Sequence, residues 1–409
     1  MMRLAVTGFV SEQAGSMASA NALLLRELLQ RDCEVDFFSK ASFVDPRPVA
    51  GGHPGFRFTN VDNRLADRLR TRLERIPIAG KLAGMVDAAT YNRLLVRRIN
   101  EAHRERKFDL CLWLGDYARG RVGSIPTVSF VQGAPGSDAR SVLRRFQEIK
   151  LLAGAKTAWK WKLLAHLRLA HPGLPPFHFS DRFLVGSNQS KNCLHEFFGI
   201  AKERIDPLPY PIDLQHFSPL SARPHTSTLH CLWLGRIVPR KRLDLFLEGA
   251  AEAIGRGVDV QLTVIGSIGF IPGYEKLLQN FPHPDRLTWQ KFLPRKDVPG
   301  MLAAHDVLAQ PSEEEDFGSS VAEAQACGLP VIVGTTNGNA DYLCPRDIHL
   351  RNDSPATLAD ALVEMANRKE TNRWGEASES RAYAENHFSL NHVASALRSI
   401  LNASANHRD

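Results

Sequence analysis

The sequence predicts an α/β protein of two doubly wound, Rossmann-like domains facing a central cleft, and three observations lead there. The chain opens as strand, loop, helix, strand: "RLAVTGF" (Arg3–Phe9) is short and apolar, a helix fits about Met17–Arg31, and "CEVDFFS" (Cys33–Ser39) alternates. Such a unit builds a parallel sheet covered by helices on both faces. A second series of short, β-branched apolar runs begins near His230. Between the two lies "IDPLPYPIDLQHFSPLSARP" (Ile205–Pro224), too rich in proline for a helix or a central strand.

Further strands are expected at Phe108–Gly115, Pro126–Gly133 and Asp181–Ser187 in the first series. The second series gives His230–Gly235, Val260–Gly266, Leu287–Leu293, Asp306–Ser312 and Leu329–Gly334. The division is then a first domain over 1–207, a linker over 208–224, a second domain over 225–385 and a terminal segment over 386–409. Doubly wound sheets bind ligands beyond the carboxyl ends of their strands, so the cleft between the two is the expected site.

Composition agrees with this organisation. A chain of 409 residues with 44% hydrophobic and 23% charged content has the length for two packed cores. "MMRLAVTGF" lacks the apolar core of a signal peptide, and no run reaches the ~18 apolar residues of a membrane span. Six scattered cysteines without a C-x-x-C pair read as free thiols of a reducing, cytoplasmic compartment. Residues 1–215 carry 32 Lys and Arg against 21 Asp and Glu; the remainder carries 19 against 23. A basic half and a mildly acidic half suggest different partners.

The chemistry concentrates in "EEEDFGSSVAEAQACGLPVIV" (Glu313–Val333). Four consecutive acids precede a small-residue helix starting near Gly318 or Ser319. Helical side chains lean toward the helix N-terminus, so Glu315 in the loop and Glu323 one turn on can flank one helix mouth. There the amides of Phe317, Gly318, Ser319 and Ser320 lack intrahelical partners and the dipole favours anions. Carboxylates can accept sugar or ribose hydroxyls while the amides hold phosphate or sugar oxygens. The plainer reading is that the acids merely favour the helix start, and that the alanines are good helix formers.

Taken in register, Glu315, Phe317, Gly318, Ser320, Glu323, Ala324, Ala326, Gly328, Pro330 and Val331 resemble the signature of the retaining GT-B glycosyltransferases of family 4, or group 1. "LGRIVPRKRLDLFLEG" (Leu234–Gly249) resembles that family's G-R-x-x-x-x-K segment, with Arg236 and Lys241 at its two cations. The resemblance implies that this pair holds the diphosphate of a nucleotide sugar. An Arg and a Lys can stabilise a leaving diphosphate in place of a metal, so no metal or other cofactor is expected. It further implies that Glu315 holds donor-sugar hydroxyls, that Glu323 holds the ribose, and that the first domain binds the acceptor. Gly15 and Ser16 fall where the family's glycine-rich loop approaches the diphosphate. Asn386–Leu401 resembles the helix that crosses back to the first domain.

The sequence also departs from the family pattern. Arg242 replaces the glycine often found after the lysine, and Lys291, beside Phe292, replaces a glycine of the base-binding turn. Gly266 is kept, and the next glycine is displaced to Gly269. Tyr210 and Pro211 stand for the Asn-Gly of the interdomain segment. In "FVQGAPGSD", Gln132 occupies the place of a common histidine; glutamine can hydrogen-bond a sugar hydroxyl but does not titrate near neutral pH.

Two basic stretches of the first half carry leucine and tryptophan. Asn63–Met85 reads as an amphipathic helix with a solvated basic face. Arg140–Gly173, with Trp159 and Trp161, suits either that role or contact with an anionic membrane surface. No nucleic-acid-binding module is recognisable.

The resulting expectation is a retaining hexosyltransferase moving a hexose, best guessed as glucose, from a UDP-linked donor to a hydroxyl acceptor in polysaccharide, glycolipid or glycoconjugate synthesis. Two alternatives stay open: a sugar-nucleotide hydrolase or epimerase on the same fold, and a non-catalytic partner subunit with a degenerate site.

Overall fold

The computed structural model describes residues 1–12, 15–42, 44–62, 77–115, 117–133, 135–170, 177–219, 226–371 and 376–406, with backbone alone for 77–89 and 177. Most of the Asn63–Met85 stretch lies outside the described residues. Two parallel sheets form the frame. The first contains β1 (Met2–Gly8), β2 (Cys33–Ser39), β3 (Phe56–Asn60), β4 (Leu110–Leu114), β5 (Thr127–Phe130), β6 (Arg182–Val185) and β7 (Ile205–Pro207), in the order β3-β2-β1-β4-β5-β6-β7. The second contains β8 (Leu229–Leu234), β9 (Val260–Ile265), β10 (Leu287–Gln290), β11 (Val307–Gln310), β12 (Val331–Val333) and β13 (Ile348–His349), in the order β10-β9-β8-β11-β12-β13. Apolar strands such as "LCLWL" in β4 are buried on both faces, as a sheet with helices on each side requires.

Three strands escape sequence patterning. β3 is an edge strand with exposed residues, β13 has two residues, and β7 is three residues at the start of the proline-rich segment. Pro207 is tolerated because β7 is the last strand of its sheet.

The strand order reverses between β1 and β4 in the first sheet and between β8 and β11 in the second. At such switch points neighbouring loops diverge to opposite faces and leave a crevice beyond the carboxyl ends. The loops after β8 and β11 carry Arg236–Lys241 and Glu313–Asp316, so the topology itself brings the two motifs side by side.

Three helices, Ser137–Arg144, Phe146–Ala153 and Ala155–Ala170, lie between β5 and β6 of the first sheet. Their inner side belongs to the other domain: Ala139, Val142, Ile149, Leu152, Ala158 and Ala165 pack in one cluster with Trp233, Phe246, Ile271 and Tyr274. The Trp161 ring meets Phe270 at 5.1 Å, and Lys276 donates to the Leu152 carbonyl at 2.6 Å. One side of the described part of the basic stretch, residues 140–170, is therefore core. Its outer side leaves Leu151, Trp159, Leu163 and Leu167 exposed.

The same insertion explains two of the four consecutive acids. Glu313 takes Arg144 at 2.9 Å and Arg145 at 3.3 Å, and Glu314 takes Arg140 at 2.5 Å and Arg144 at 2.6 Å. Asp316 closes the seam further along, accepting the Gly186 amide at 3.0 Å and the Tyr210 hydroxyl. A Cβ on Gly186 would lie 2.8 Å from both the Asp316 carboxylate and the Phe317 Cβ, so this approach of the domains needs glycine. At the far end the helix Leu390–Asn406 returns to the first domain. Its Val393, Leu397 and Leu401 share a cluster with Leu24 and Leu28, and Ser395 accepts from Arg31 at 2.9 Å.

Glu314 and Arg140 are both nearly buried, each side chain about 10% exposed. Removing one partner of such a pair costs about 3–5 kcal/mol, because the other charge stays desolvated. Glu314→Ala should show a loss of that order in chemical denaturation, and Glu314→Ala with Arg140→Ala should lose less than the sum of the singles. A loss under ~1 kcal/mol for Glu314→Ala would place the seam's strength elsewhere.

Candidate active site

The site is built from the two switch-point loops of the second sheet. β8 is followed by Gly235, whose amide donates to the Ile265 carbonyl at 3.0 Å. Arg236 follows, exposed, and a short turn over Pro239–Lys241 reverses the chain. Arg242 then adopts a left-handed conformation, φ 53°, at the start of the helix Leu243–Gly255. That conformation accounts for the glycine the family pattern prefers there. The arginine holds it through Asp244 at 3.1 Å and Asp353 at 3.5 Å.

The turn points Arg240 and Lys241 at the acidic loop. Both reach one oxygen of Glu315: Arg240 lies 2.8 Å and Lys241 2.6 Å from Oε2. Oε1 has no hydrogen-bond donor among the described residues. Burial alone would raise the Glu315 carboxyl, but Arg240 and Lys241 outweigh it and hold it at about 2. Glu315 is thus a permanent anion with one oxygen committed to the cations and one available. Burial in turn pulls the Lys241 ammonium below its ordinary value, against the attraction of Glu315.

The acidic loop is stitched to the following segment. Glu314 donates its amide to Thr336 Oγ1 at 2.9 Å, Gly338 donates to the Glu315 carbonyl at 2.9 Å, and Asn339 donates to the Phe317 carbonyl at 3.0 Å. Gly318 has φ 76°, and a Cβ there would strike Asn337 Oδ1 at 2.7 Å. The Phe317 ring is buried against Tyr210 and Phe388, at centroid distances of 4.9 and 5.3 Å, so its side chain anchors the loop. The amides of Phe317, Gly318, Ser319 and Ser320 have no acceptor among the described residues, as expected at the mouth of the helix Ser319–Ala326. The Ser320 hydroxyl is directed away, to Gln310 at 2.7 Å.

Glu323 is buried within that helix and pairs with Arg295 at 2.9 Å. Burial lifts its carboxyl above the usual range, against the pull of Arg295. Glu315 and Glu323 are thus both already paired, the first with Arg240 and Lys241 and the second with Arg295. Lys291 and Phe292 follow β10, both exposed, with Phe292 74% accessible and Lys291 over the Trp289 ring at 5.4 Å. Gly15, φ 53°, and Ser16 open the helix Gly15–Gln30 at the first sheet's switch point. Gln132 forms a reciprocal amide pair with Asn21 of that helix, at 2.8 and 2.9 Å.

A cavity of about 410 Å³ joins the two domains here. Tyr117, Arg119, Gln132, Asp138 and Arg168 line it from the first domain, and Arg236 and Arg240 from the second. Lys241 and Glu315 stand behind Arg240, outside its lining. A larger cavity of about 570 Å³ lies beside Ile125–Thr127 and Asp181–Arg182, at the amino ends of β5 and β6. That is the wrong end of the sheet for a switch-point ligand.

Four residues of this region have no counterpart in the sequence reading: Arg240, Arg295, Arg119 and Arg168. Arg240 lies inside the recognised cationic segment, and its neighbours' pattern was the available signal. Arg168 lies within the basic stretch Arg140–Gly173, and Arg119 and Arg295 are single arginines in unremarkable sequence.

Residues 225–381 match the family model of the glycosyl transferases of group 1. Over those residues the second domain is a group 1 glycosyl transferase domain. A curated relative from Rhodococcus erythropolis, a D-inositol 3-phosphate glycosyltransferase, is 26% identical over 346 residues, covering 79% of this chain and 72% of the relative. A GDP-mannose-dependent monoacylated alpha-(1-6)-phosphatidylinositol monomannoside mannosyltransferase from Corynebacterium glutamicum is 27% identical over 216 residues, covering 47% and 55%. Among solved structures, HepE of Anabaena in complex with UDP superposes with a TM-score of 0.64 at 16% identity, covering 98% of this chain and all of HepE. That likeness fixes the fold as GT-B.

Glu315 sets a pH signature. Its carboxyl lies near 2, below the ordinary 4.5, so its stabilising contribution is complete above about pH 4.5 and is lost as pH falls through about 2. For wild type, that contribution is on the order of 3 kcal/mol. Glu315→Gln should lose it already at neutral pH and show a flatter fall in unfolding free energy between pH 5 and 2. Parallel profiles for the two proteins would contradict the assignment.

Proposed function

We propose that this protein is a retaining hexosyltransferase that moves a hexose, taken as glucose, from a UDP-linked donor to a hydroxyl of a sugar or lipid-linked acceptor. The observation that carries the reading is the locked Glu315 anion with a free oxygen beside two cations at the switch point. Arg236 and Lys241 hold the diphosphate, and Glu315 Oε1 accepts donor-sugar hydroxyls. Glu323, sharing its charge with Arg295, takes the ribose, and the backbone at Lys291 and Phe292 meets the base. The amides of Phe317 to Ser320 hold sugar and phosphate oxygens, with Gly15 and Ser16 approaching from the opposite side. Gln132 offers a hydrogen bond to a donor-sugar or acceptor hydroxyl. The bond from the anomeric carbon to the diphosphate breaks, the acceptor oxygen bonds to the same face, and a departing phosphate oxygen takes the acceptor's proton. Two fixed cations stabilise the leaving charge, so the reaction requires no metal. UDP and glucose are the ligands named for the HepE complex, which supports the donor choice.

The reading includes peripheral contact with an anionic membrane on the cytoplasmic side. Trp159, Leu163 and Leu167 recur at helical spacing on the exposed face of Ala155–Ala170, beside Lys156 and Lys160, and that helix has no carboxylate. Such a face suits the headgroup boundary of an anionic bilayer. Among the described residues no helix is long and apolar enough to cross a membrane.

The test is turnover against UDP-, GDP- and ADP-hexoses with and without acceptor extracts. A UDP-hexose should be consumed, with retained configuration in the product and no loss of rate in EDTA. Lys241→Ala should lower kcat by about 100-fold or more. Equal UDP release without acceptor would assign a hydrolase instead. In parallel, Leu163→Glu should abolish co-sedimentation with phosphatidylglycerol vesicles at low salt; absence of binding by the wild type would remove the membrane contact.

A further inference from the structure

Glu323 is a costly residue to keep where it stands. It is 4% exposed, in a helix otherwise built of Ser, Val, Ala and Gln, and Arg295 Nη1 meets its Oε1 at 2.9 Å. A buried ion pair is often no more stable than an apolar pair of the same volume, so stability alone does not account for it. Oε2 accepts no hydrogen bond among the described residues. Burial pushes the carboxyl up, and Arg295, with His216 behind it, pulls it back toward the ionised form. Arg295 is itself held in place. Its guanidinium lies 5.1 Å from the centre of the Phe217 ring, and its carbonyl accepts from His216 Nε2 at 3.2 Å. It opens the turn Arg295–Asp297, a few residues after Lys291 and Phe292, where the Gln290 amide donates to the Phe292 carbonyl at 2.8 Å. The arginine therefore ties the segment after β10 to a carboxylate on the helix after β11.

We propose that Arg295 is a positioning residue for nucleotide recognition: it fixes the Glu323 carboxylate with Oε2 free for a ribose hydroxyl, and so sets the preference for a ribonucleotide over a deoxyribonucleotide. The inference rests on the reading above that Glu323 takes the ribose. An ionised carboxylate accepts a hydroxyl proton in a charge-assisted bond, roughly twice as strong as a neutral one. Without Arg295 the buried carboxyl gains a proton more readily and loses the fixed orientation of its two oxygens. Arg295 acts through Glu323 and need not touch the nucleotide. It also couples the two ends of the nucleoside, because the segment that meets the base and the carboxylate that holds the ribose share it.

The experiment titrates the full chain with UDP, 2′-deoxy-UDP and 3′-deoxy-UDP by calorimetry. The wild type should bind UDP about tenfold or more tighter than at least one analogue, as expected for a charged hydrogen bond. Arg295→Gln should lose most of that ratio while binding the same analogue within about twofold of the wild type. Arg295→Lys keeps the charge and should restore part of the ratio. In a Glu323→Gln background, Arg295→Gln should change the ratio no further. The inference is overturned if Arg295→Gln keeps the wild-type ratio, or if Arg295→Lys is as poor as Arg295→Gln. It is overturned too if Arg295→Gln weakens UDP and both analogues equally, as loss of a purely structural arginine does. Tighter UDP binding by Arg295→Gln would also overturn it, making the arginine a competitor for the carboxylate. Equal binding of all three nucleotides by the wild type, or no binding of UDP, would instead defeat the donor reading above and the inference with it.

Discussion

A buried carboxylate held between two cations organises this molecule. Glu315 would be costly to bury alone, and so would Arg240 and Lys241; together they are mutually neutralised at 2.6–2.8 Å. The pairing locks the loop after β11 to the loop after β8 across the strand reversal of the second sheet. It also decides what the site can do. A carboxylate held at about 2 neither donates nor shuttles a proton near neutral pH, so its use is electrostatic and directional. Gln132, paired with Asn21, adds no titrating group on the opposite wall.

The neighbouring acids answer a different need. Glu313 and Glu314 face Arg140, Arg144 and Arg145, and Asp316 binds Gly186 and Tyr210. Four consecutive acids thus have three sets of partners: the insertion of the first domain, the cations of the site, and the joint between the sheets. The helical insertion completes the connection, since its apolar side is part of the second domain's core. The helix Ala155–Ala170 has three surfaces in consequence. One is packed, one presents leucine, tryptophan and lysine to solvent, and its last turn delivers Arg168 to the cavity. Any surface that the outer face touches is therefore close to the cavity between the domains.

Much of this was legible in the residues. Apolar runs bounded by glycine and proline located the principal strands, and the Glu315–Glu323 and Arg236–Lys241 spacings identified the loops that meet. Those signals are local: a strand is read from four to seven residues, and a motif from one loop and the helix after it. What failed was non-local. Arg240 turns inward to Asp138 and Glu315, just ahead of Arg242 at φ 53°, a conformation no propensity assigns to arginine. Arg295 reaches Glu323 from 28 positions away, and Asp316 meets Gly186 from 130. The insertion was ambiguous for a related reason, since a helix with leucine on two sides does not say which one is core. β7 agrees with the exclusion of a central strand: the start of the proline-rich segment forms an edge strand, which has no pairing on one side.

Ligand binding at the switch-point loops joined by Glu315 is the claim that amide hydrogen exchange on the full chain, with and without UDP, tests most directly. The claim predicts slowed exchange in peptides spanning 235–242 and 313–323, including the open amides of Phe317 to Ser320, with no change at 178–182 or 203–204 beside the larger cavity. Protection confined to those latter segments, with 313–323 unaltered, would contradict it.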